Sequence, residues 1–401
     1  MGALAGVRIV DLTSVVMGPY ATQVLGDWGA DVIKVEPPEG DVVRAIGPGR
    51  NAGMGSLFLN ANRNKRSLCL DLREPRGRDA FLALIIKADV FVSNVRPQAL
   101  QRLGLGPEVL EAANPRLIQV ALTGFGSGGP YAGQPAYDDL IQGATGIAAL
   151  GERQGQDMPR YAPLALADRV CGLYAAAAIG AALHERASSG KGQRVEVPMF
   201  ETMASFVLGD HLGGQSFDPP LDEGGYQRLL SKDRRPFETA DGRICAVVYN
   251  DAQWAAFLKE VGMSDLPQRD GRFDGFANRT RNIDHVYGFL AETFRTRTTQ
   301  EWLTTLGPAG VPVTPMHDLK SLLDDPHLAA TGFFSDVIHP SEGPMKTTAP
   351  PTRWSRTAAG ISRQAPMLGE HSAEVLGEAG LDDETIQGLL DDGVVRARPS
   401  C

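Results

Sequence analysis

The sequence predicts an α/β protein in two parts: a Rossmann-like, doubly wound large domain and a smaller α/β domain. Three observations carry this. Short apolar strands alternate with amphipathic helices from residue 6 to residue 123. A run of small residues at 170–183 then suits a helix packed closely against other backbone. Beyond a linker rich in Gly, Pro and acid the texture changes to a hairpin followed by two helical patterns. At 401 residues the chain exceeds what one simple core holds.

Taken in order, residues 6–12 (GVRIVDL) read as a buried strand, and Gly18-Pro19 opens a helix through Trp28. DVIKVE at 31–36 is the next strand, completing a βαβ unit with parallel strands and a right-handed crossover. Residues 37–64 form a long Gly/Pro/Asn-rich loop, whose length points to function. Strands at 65–72, 89–94 and 117–123 alternate with helices at 75–87 and 97–103. GFGSGG at 124–129 satisfies G-x-G-x-x-G, but Pro130 follows at once and no helix opens there, so it is no dinucleotide fingerprint. After the 170–183 helix come a turn at 190–192, a strand at 194–198 and a helix at 199–212.

These patterns divide the chain into a large domain (1–212), a linker (213–235) and a small α/β domain (236–323). A return linker (324–351) and a C-terminal segment (352–401) that packs back on the large domain complete it. The small domain shows a hairpin turning at Asp241-Gly242 and helical patterns at 254–261 and 283–306. The tail carries helices after Leu376 and Asp382.

Composition excludes several classes. Hydrophobic content of 43% and charged content of 22% describe a soluble globular protein, and a net charge of -9 argues against generic nucleic-acid binding. Cys69, Cys171, Cys245 and Cys401 are dispersed, which fits reduced thiols in a cytoplasm and no disulfide framework. Seven histidines include no HExxH, so no metal is expected. No signal peptide is visible, and the 170–183 run falls short of the roughly 20 residues that span a bilayer, so no membrane is expected.

Asp168 stands where that small-residue helix begins, its carboxylate towards the first free N–H groups. Two readings are open at this point: an N-cap, or a carboxylate nucleophile held at a helix start.

Ordered motifs now add a resemblance: GVRIVDLT, MGPYATQVLGDWGADVIKVEPPEGD, NRNKRSLCLDL, DVFVSNVRPQALQRLGL, LTGFGSGGPYAGQPAYDDLIQGATG and ADRVCGLYAAAAIGAALHERASSGKGQRVEVPMFE. Together with RPFETADGRICAVVYNDAQW, AGVPVTP and PMLGEHSAEVLGEAGL, they resemble the class III coenzyme A transferases over residues 4–390. The resemblance implies that Asp168 is the nucleophile, passing through a mixed anhydride and an aspartyl-CoA thioester, with the helix start keeping it ionised. It implies that Val15, Val16 and Met17 line the adenine or pantetheine region, and that Leu70, Asp71, Leu72 and Arg73 lie along the CoA. Asn94, Val95, Arg96 and Arg102 would contact it further, the arginines near its phosphates. Tyr137 and Asp138 would form the tyrosine-acid pair beside the thioester. The partners implied are an acyl-CoA and a free carboxylic acid, with coenzyme A a substrate and no tightly bound cofactor. The family's interlocked homodimer is also implied, and the two long linkers suit such threading.

Departures narrow the substrate. Pro37 stands where formyl-CoA transferases carry an arginine and Pro135 where they carry a lysine, and their glycine-rich active-site loop is not recognisable after Pro236. These point away from the formyl/oxalate pair and towards another acid. The racemase cousins need a second acid–base group, usually a histidine, in the stretch that here reads QPAYDDLIQG. Tyr137 takes that place, and a phenol with an ordinary pKa of about 10 is a poor base at neutral pH. The remaining alternative is a non-enzymatic CoA-binding protein, in which Asp168 would have no task.

Overall fold

The computed structural model describes residues 2–397. Its first part runs β1 (Arg8–Leu12), α1 (Met17–Asp27), β2 (Asp31–Glu36), α2 (Ser56–Leu59) and β3 (Lys65–Leu70). There follow α3 (Pro75–Ile86), β4 (Val90–Ser93), α4 (Pro97–Arg102), α5 (Pro107–Ala113), β5 (Ile118–Thr123), α6 (Asp138–Ala144) and α7 (Ile147–Arg153). Then come α8 (Leu166–Ser189), β6 (Arg194–Pro198), α9 (Met199–His211), α10 (Gln227–Leu230), β7 (Phe237–Glu238) and β8 (Arg243–Ala246). Five helices and a strand succeed them: α11 (Asp251–Glu260), α12 (Leu266–Arg269), α13 (Gly275–Arg281), α14 (Ile283–Phe294), α15 (Thr299–Leu306) and β9 (Val313–Pro315). The chain closes with α16 (Pro326–Ala330), β10 (Phe334–His339), β11 (Gly343–Thr348), α17 (Ser372–Ala379), α18 (Asp383–Asp391) and β12 (Val395–Arg396).

Among the described residues one compact unit holds 2–145, 162–205 and 326–397, and a second holds 146–161 and 206–325. The first is built on a seven-stranded sheet in the order β12-β3-β2-β1-β4-β5-β6. All its pairings are parallel except β12 on β3. The order reverses between β1 and β4, and in doubly wound sheets the crevice at such a reversal is where ligands bind. Helices α1 and α8 pack on each other, and α3 packs on α5 and α17. The α1–α8 approach needs Gly172, where a Cβ would lie 2.8 Å from the Met17 carbonyl oxygen. Helix α8 has 24 residues and by length and composition alone is apolar enough to cross a bilayer, more than the 170–183 run suggested. Its buried residues, including Ala167, Cys171, Ala175 and Ile179, are those of a core helix packed on α1, α6, β5 and β6.

The second unit has an antiparallel sheet of β7, β8 and β9 beside α11, α14 and α15. Its core gathers Trp254, Phe257, Phe294 and Trp302.

Several sequence expectations need correction. The supposed return linker at 324–351 contains the antiparallel hairpin β10–β11, whose alternation was masked by Pro340, Gly343 and the flanking histidines. The boundary between the compact units falls inside α9 and not at residue 212, and residues 146–161 join the second unit. The single helical pattern at 283–306 is two helices, because Thr298 caps α15 in a capping box with Glu301. The loop at 37–64 carries α2 and a 3-10 turn. Helices α5, α6, α7, α12 and α13 and the edge strand β12 were not foreseen. Cys401 lies outside the described residues, while Cys69, Cys171 and Cys245 are free thiols.

Charge is buried beneath the centre of the sheet. Register places Asp11 of β1 opposite Lys34 of β2. Lys34 Nζ donates to the Thr13 carbonyl at 2.7 Å and to Asp41 Oδ2 at 2.9 Å. Lys65 Nζ donates to Asp11 Oδ2 at 2.9 Å, the Pro19 carbonyl at 2.8 Å and Asn62 Oδ1 at 2.9 Å. The Thr13 and Thr22 hydroxyls also donate to Asp11. Burial pushes the Asp11 carboxyl up, but the two lysines and two hydroxyls outweigh it and hold it at about 2. Burial, helped by Lys34, lowers the Lys65 ammonium to about 8.

Lys65→Met keeps the bulk of the side chain and removes a charge whose partners stay buried. Loss of one member of such a pair costs about 3–5 kcal/mol, to be read from the midpoint of urea unfolding. A wild-type midpoint would contradict a net stabilising role for this pair.

Candidate active site

A cavity of about 540 Å³ opens at the C-terminal ends of the parallel strands, beside the reversal between β1 and β4. It is lined from four directions. The loop after β1 supplies Ser14, Val15 and Met17, and the loop after β4 supplies Asn94, Val95 and Arg96. The stretch after β5 supplies Gly124, Phe125 and Ser127, then Tyr137 and Asp138. The first turn of α8 supplies Asp168, and Glu196 and Met199 close the rim.

Asp168 is not the N-cap. Ala165 holds that position, and Asp168 is the third residue of α8. The cap comes from a distant stretch: Asp138 Oδ1 accepts from Ala167 N at 2.8 Å and from Asp168 N at 3.5 Å. Gln142, fully buried, holds Asp138 Oδ2 through its Nε2 at 3.1 Å and accepts from Ala162 N at 2.8 Å. Two segments far apart in sequence are thereby locked to one helix start.

The Asp168 carboxylate is half-buried, and no hydrogen-bond donor among the described residues reaches it. Buried carboxylates are ordinarily paired, so a bare one facing a cavity is a candidate reactive group. Burial, then the charge of Asp138, raise its pKa from 3.8 to about 6, with Arg169 opposing. The helix start therefore does not dominate its ionisation as the sequence suggested. The group is still mostly ionised at pH 7, and its greater basicity makes it a better nucleophile than an ordinary aspartate. The Arg169 guanidinium lies 4.5 Å from the centre of the Tyr20 ring. Cys171, one turn on, is pushed up to about 12 by burial and by Asp168 and Asp138, which leaves it an inert thiol.

The structure brings together Asp168, Val15, Met17, Asn94, Val95, Arg96, Tyr137 and Asp138 of the residues expected at the site. Others lie elsewhere. Val16 is buried, and Leu70 and Leu72 belong to the core of the first unit, where β12 covers the end of β3. Asp71 is engaged by Arg73, Nε to Oδ1 at 2.9 Å and Nη2 to Oδ2 at 2.7 Å, which holds its carboxyl below the usual range. Arg102 is exposed at the end of α4, its Nε donating to the Gln98 carbonyl, and does not line the cavity.

Sequence reasoning missed Ser14, Gly124, Phe125, Ser127 and Glu196. The discounted GFGSGG stretch is a cavity wall: Gly126 N donates to Glu201 Oε1 at 2.9 Å, and Ser127 Oγ to Glu196 Oε2 at 2.8 Å. A glycine-rich segment directly after a parallel strand was the available signal. Val15 carries a φ of 70°, a left-handed conformation that costs a β-branched residue on the order of 1–3 kcal/mol.

Comparison with known proteins shows the family of the whole chain. The profile of CoA-transferase family III matches residues 4–372. The succinyl-CoA:glutarate CoA-transferase of Homo sapiens is 31% identical, over 98% of this chain and 90% of its own length. The succinyl-CoA:mesaconate CoA-transferase of Haloarcula marismortui is 32% identical, over 98% of this chain and 100% of its own. The crystal structure of a CAIB/BAIF family protein from Brucella suis matches with a TM-score of 0.77 at 30% identity, covering 94% of this chain and 99% of that one.

The raised pKa of Asp168 has a consequence for stability. Between pH 3.8 and about 6 the folded protein holds a proton that the unfolded chain has released, so this group costs stability as pH rises through that window. Asp168→Asn is therefore expected to be more stable than wild type at pH 8, by about 1–2 kcal/mol after discounting for its partial exposure. The difference should vanish towards pH 4 in thermal melts. A variant no more stable at pH 8 would contradict a buried, unpaired charge.

Proposed function

The chain belongs to CoA-transferase family III, and we propose that it moves coenzyme A between dicarboxylic acids through Asp168. The observation that carries this is the unpaired Asp168 carboxylate in the cavity at the sheet's reversal point. The dicarboxylate class rests on relatives named for transfer between succinyl-CoA and glutarate or mesaconate.

In the first half-reaction an Asp168 oxygen attacks the thioester carbonyl of the donor, and the C–S bond breaks to give a mixed anhydride and CoA thiolate. The thiolate then attacks the aspartyl carbonyl, releasing the donor acid and leaving an aspartyl-CoA thioester. In the second half the acceptor carboxylate attacks that thioester, giving a new anhydride and thiolate. Attack of the thiolate on the acceptor's carbonyl forms the product thioester and restores the Asp168 carboxylate. Each step exchanges one acyl–heteroatom bond for another and needs no proton donor. The protein therefore has to fix geometry and exclude water from two hydrolysable intermediates. Arg96 offers a guanidinium to a CoA phosphate from the loop after β4. Racemase chemistry is disfavoured by Tyr137 at the place of the second base and by the lack of a histidine among the described residues lining the cavity.

The test is a transfer assay with succinyl-CoA against glutarate, mesaconate, malate and monocarboxylates, followed by separation of the acyl-CoA products. Transfer to dicarboxylates is expected, with Arg96→Ala raising the Michaelis constant for the donor by about tenfold or more. Exchange of the donor's α-proton without CoA transfer would overturn the reading.

We also propose a homodimer. Leu173 and Tyr174 on α8 are 49% and 61% exposed, and Phe217 and Leu221 in the linker are 56% and 72% exposed. Apolar groups so open are what a second chain covers. Sedimentation at nanomolar concentration should show a dimer, and a folded monomer would contradict it.

A further inference from the structure

The loop that follows β1 is held far more tightly than a connection between a strand and a helix requires. From the Thr13 amide to the Val15 amide, each backbone N–H and C=O bonds to a side chain. Thr13 N donates to Asp11 Oδ1 at 3.0 Å, and the Thr13 carbonyl accepts from Lys34. Asn94 takes both groups of Ser14, accepting from its N–H at 3.0 Å and donating to its carbonyl at 2.9 Å. Asp41 Oδ1 accepts from Val15 N at 3.2 Å, while its Oδ2 pairs with Lys34. The Lys34 and Asp41 side chains are 0% and 1% exposed, so this pair is shielded from salt and water.

At the end of the clamp stands Val15, with a φ of 70°. Glycine would take that conformation without strain, and a released valine would relax to extended backbone. The side chain instead packs partly against the small cluster of Val43 and Phe58 while lining the cavity. Neither Lys34 nor Asp41 lines the cavity.

We infer that the buried Lys34–Asp41 pair is a positioning device, which holds Val15 in its strained conformation so that this wall of the cavity is set before the CoA moiety arrives. The inference rests on the reading of the cavity as the acyl-CoA site. Lys34 and Asp41 act through Val15 and are positioning residues. A wall fixed in advance spares the ligand the cost of ordering it.

The test compares Val15→Gly with Val15→Ala in the full-length protein, measuring thermal midpoint, CoA dissociation constant and kcat. Both variants lose the isopropyl group, so their difference isolates the backbone. At φ of 70° the glycine variant should melt above the alanine variant, the reverse of the usual order. With the clamp intact the two should bind CoA alike, and adding Asp41→Ala should cost the alanine variant about two- to fivefold more affinity than the glycine variant, which takes the bound conformation without being held. Asp41→Ala should weaken CoA binding by about tenfold with kcat little changed, and Asp41→Asn should restore only part of the loss, because it keeps an oxygen for the Val15 N–H but no carboxylate for Lys34. Equal losses of CoA affinity on adding Asp41→Ala to the two Val15 variants overturn the inference. So does a folded Asp41→Ala that binds CoA as wild type does. If Asp41→Ala does not fold, Asp41→Asn takes its place in the same comparison. A wild type that binds no CoA overturns the cavity reading as well, whereas wild-type binding with unchanged variants overturns the clamp alone.

Discussion

Two lysine ammonium groups with no solvent exposure lie beneath the central strands, and the first unit is arranged so that neither lacks a carboxylate. Moving such a charge out of water is expensive, and only close, hydrogen-bonded partners offset it. Asp11 serves Lys65 directly and faces Lys34 across β1 and β2, while Asp41 comes back over the end of β2 to complete Lys34. Removing one partner would strand the others, so the network specifies register, the path after β2 and the entry to α1 together. Lys65 also reaches the Pro19 carbonyl in the first turn of α1, which ties the helix to the sheet. The site inherits its rigidity from this: the loops that carry Ser14, Val15 and Asn94 are fixed from below.

Asp168 occupies the opposite situation. Its carboxylate is half-buried with no donor among the described residues, beside a second carboxylate that serves the helix start. A raised pKa is the signature of that cost, and a group that is costly in the resting protein gains by forming an ester-like bond. Asp138 contributes twice, by capping α8 and by a charge that adds to burial in raising the basicity of Asp168.

Much of this was legible in the chain itself. Buried parallel strands read as continuous apolar runs, and the alternation with helices identified the large sheet up to β6. The sequence singled out Asp168 and the loops after β1 and β4, and these line one cavity. Contacts between distant segments were not legible. A cap that Asp138 supplies from 30 positions away leaves no local signal, so the start of α8 was misplaced. Leu70 and Leu72 belong to the core because β12, from the far end of the chain, covers β3. Lys34 and Lys65 look like ordinary polar positions on strands until register puts carboxylates opposite them. Hairpin β10–β11 was hidden because Pro340 and Gly343 resemble linker punctuation, although its exposure alternates along β11.

The central claim is that Asp168 becomes covalently part of the transfer, and isotope transfer tests it most directly. Turnover with an acceptor acid labelled with oxygen-18 in its carboxylate makes the bridging oxygen of the second anhydride a labelled one. When the thiolate takes the acyl group away, that oxygen stays on the aspartate. Mass spectrometry of the digested protein after turnover should therefore find oxygen-18 in the peptide containing Asp168, and none there without acyl-CoA. Transfer that proceeds with no label at Asp168 would contradict the account.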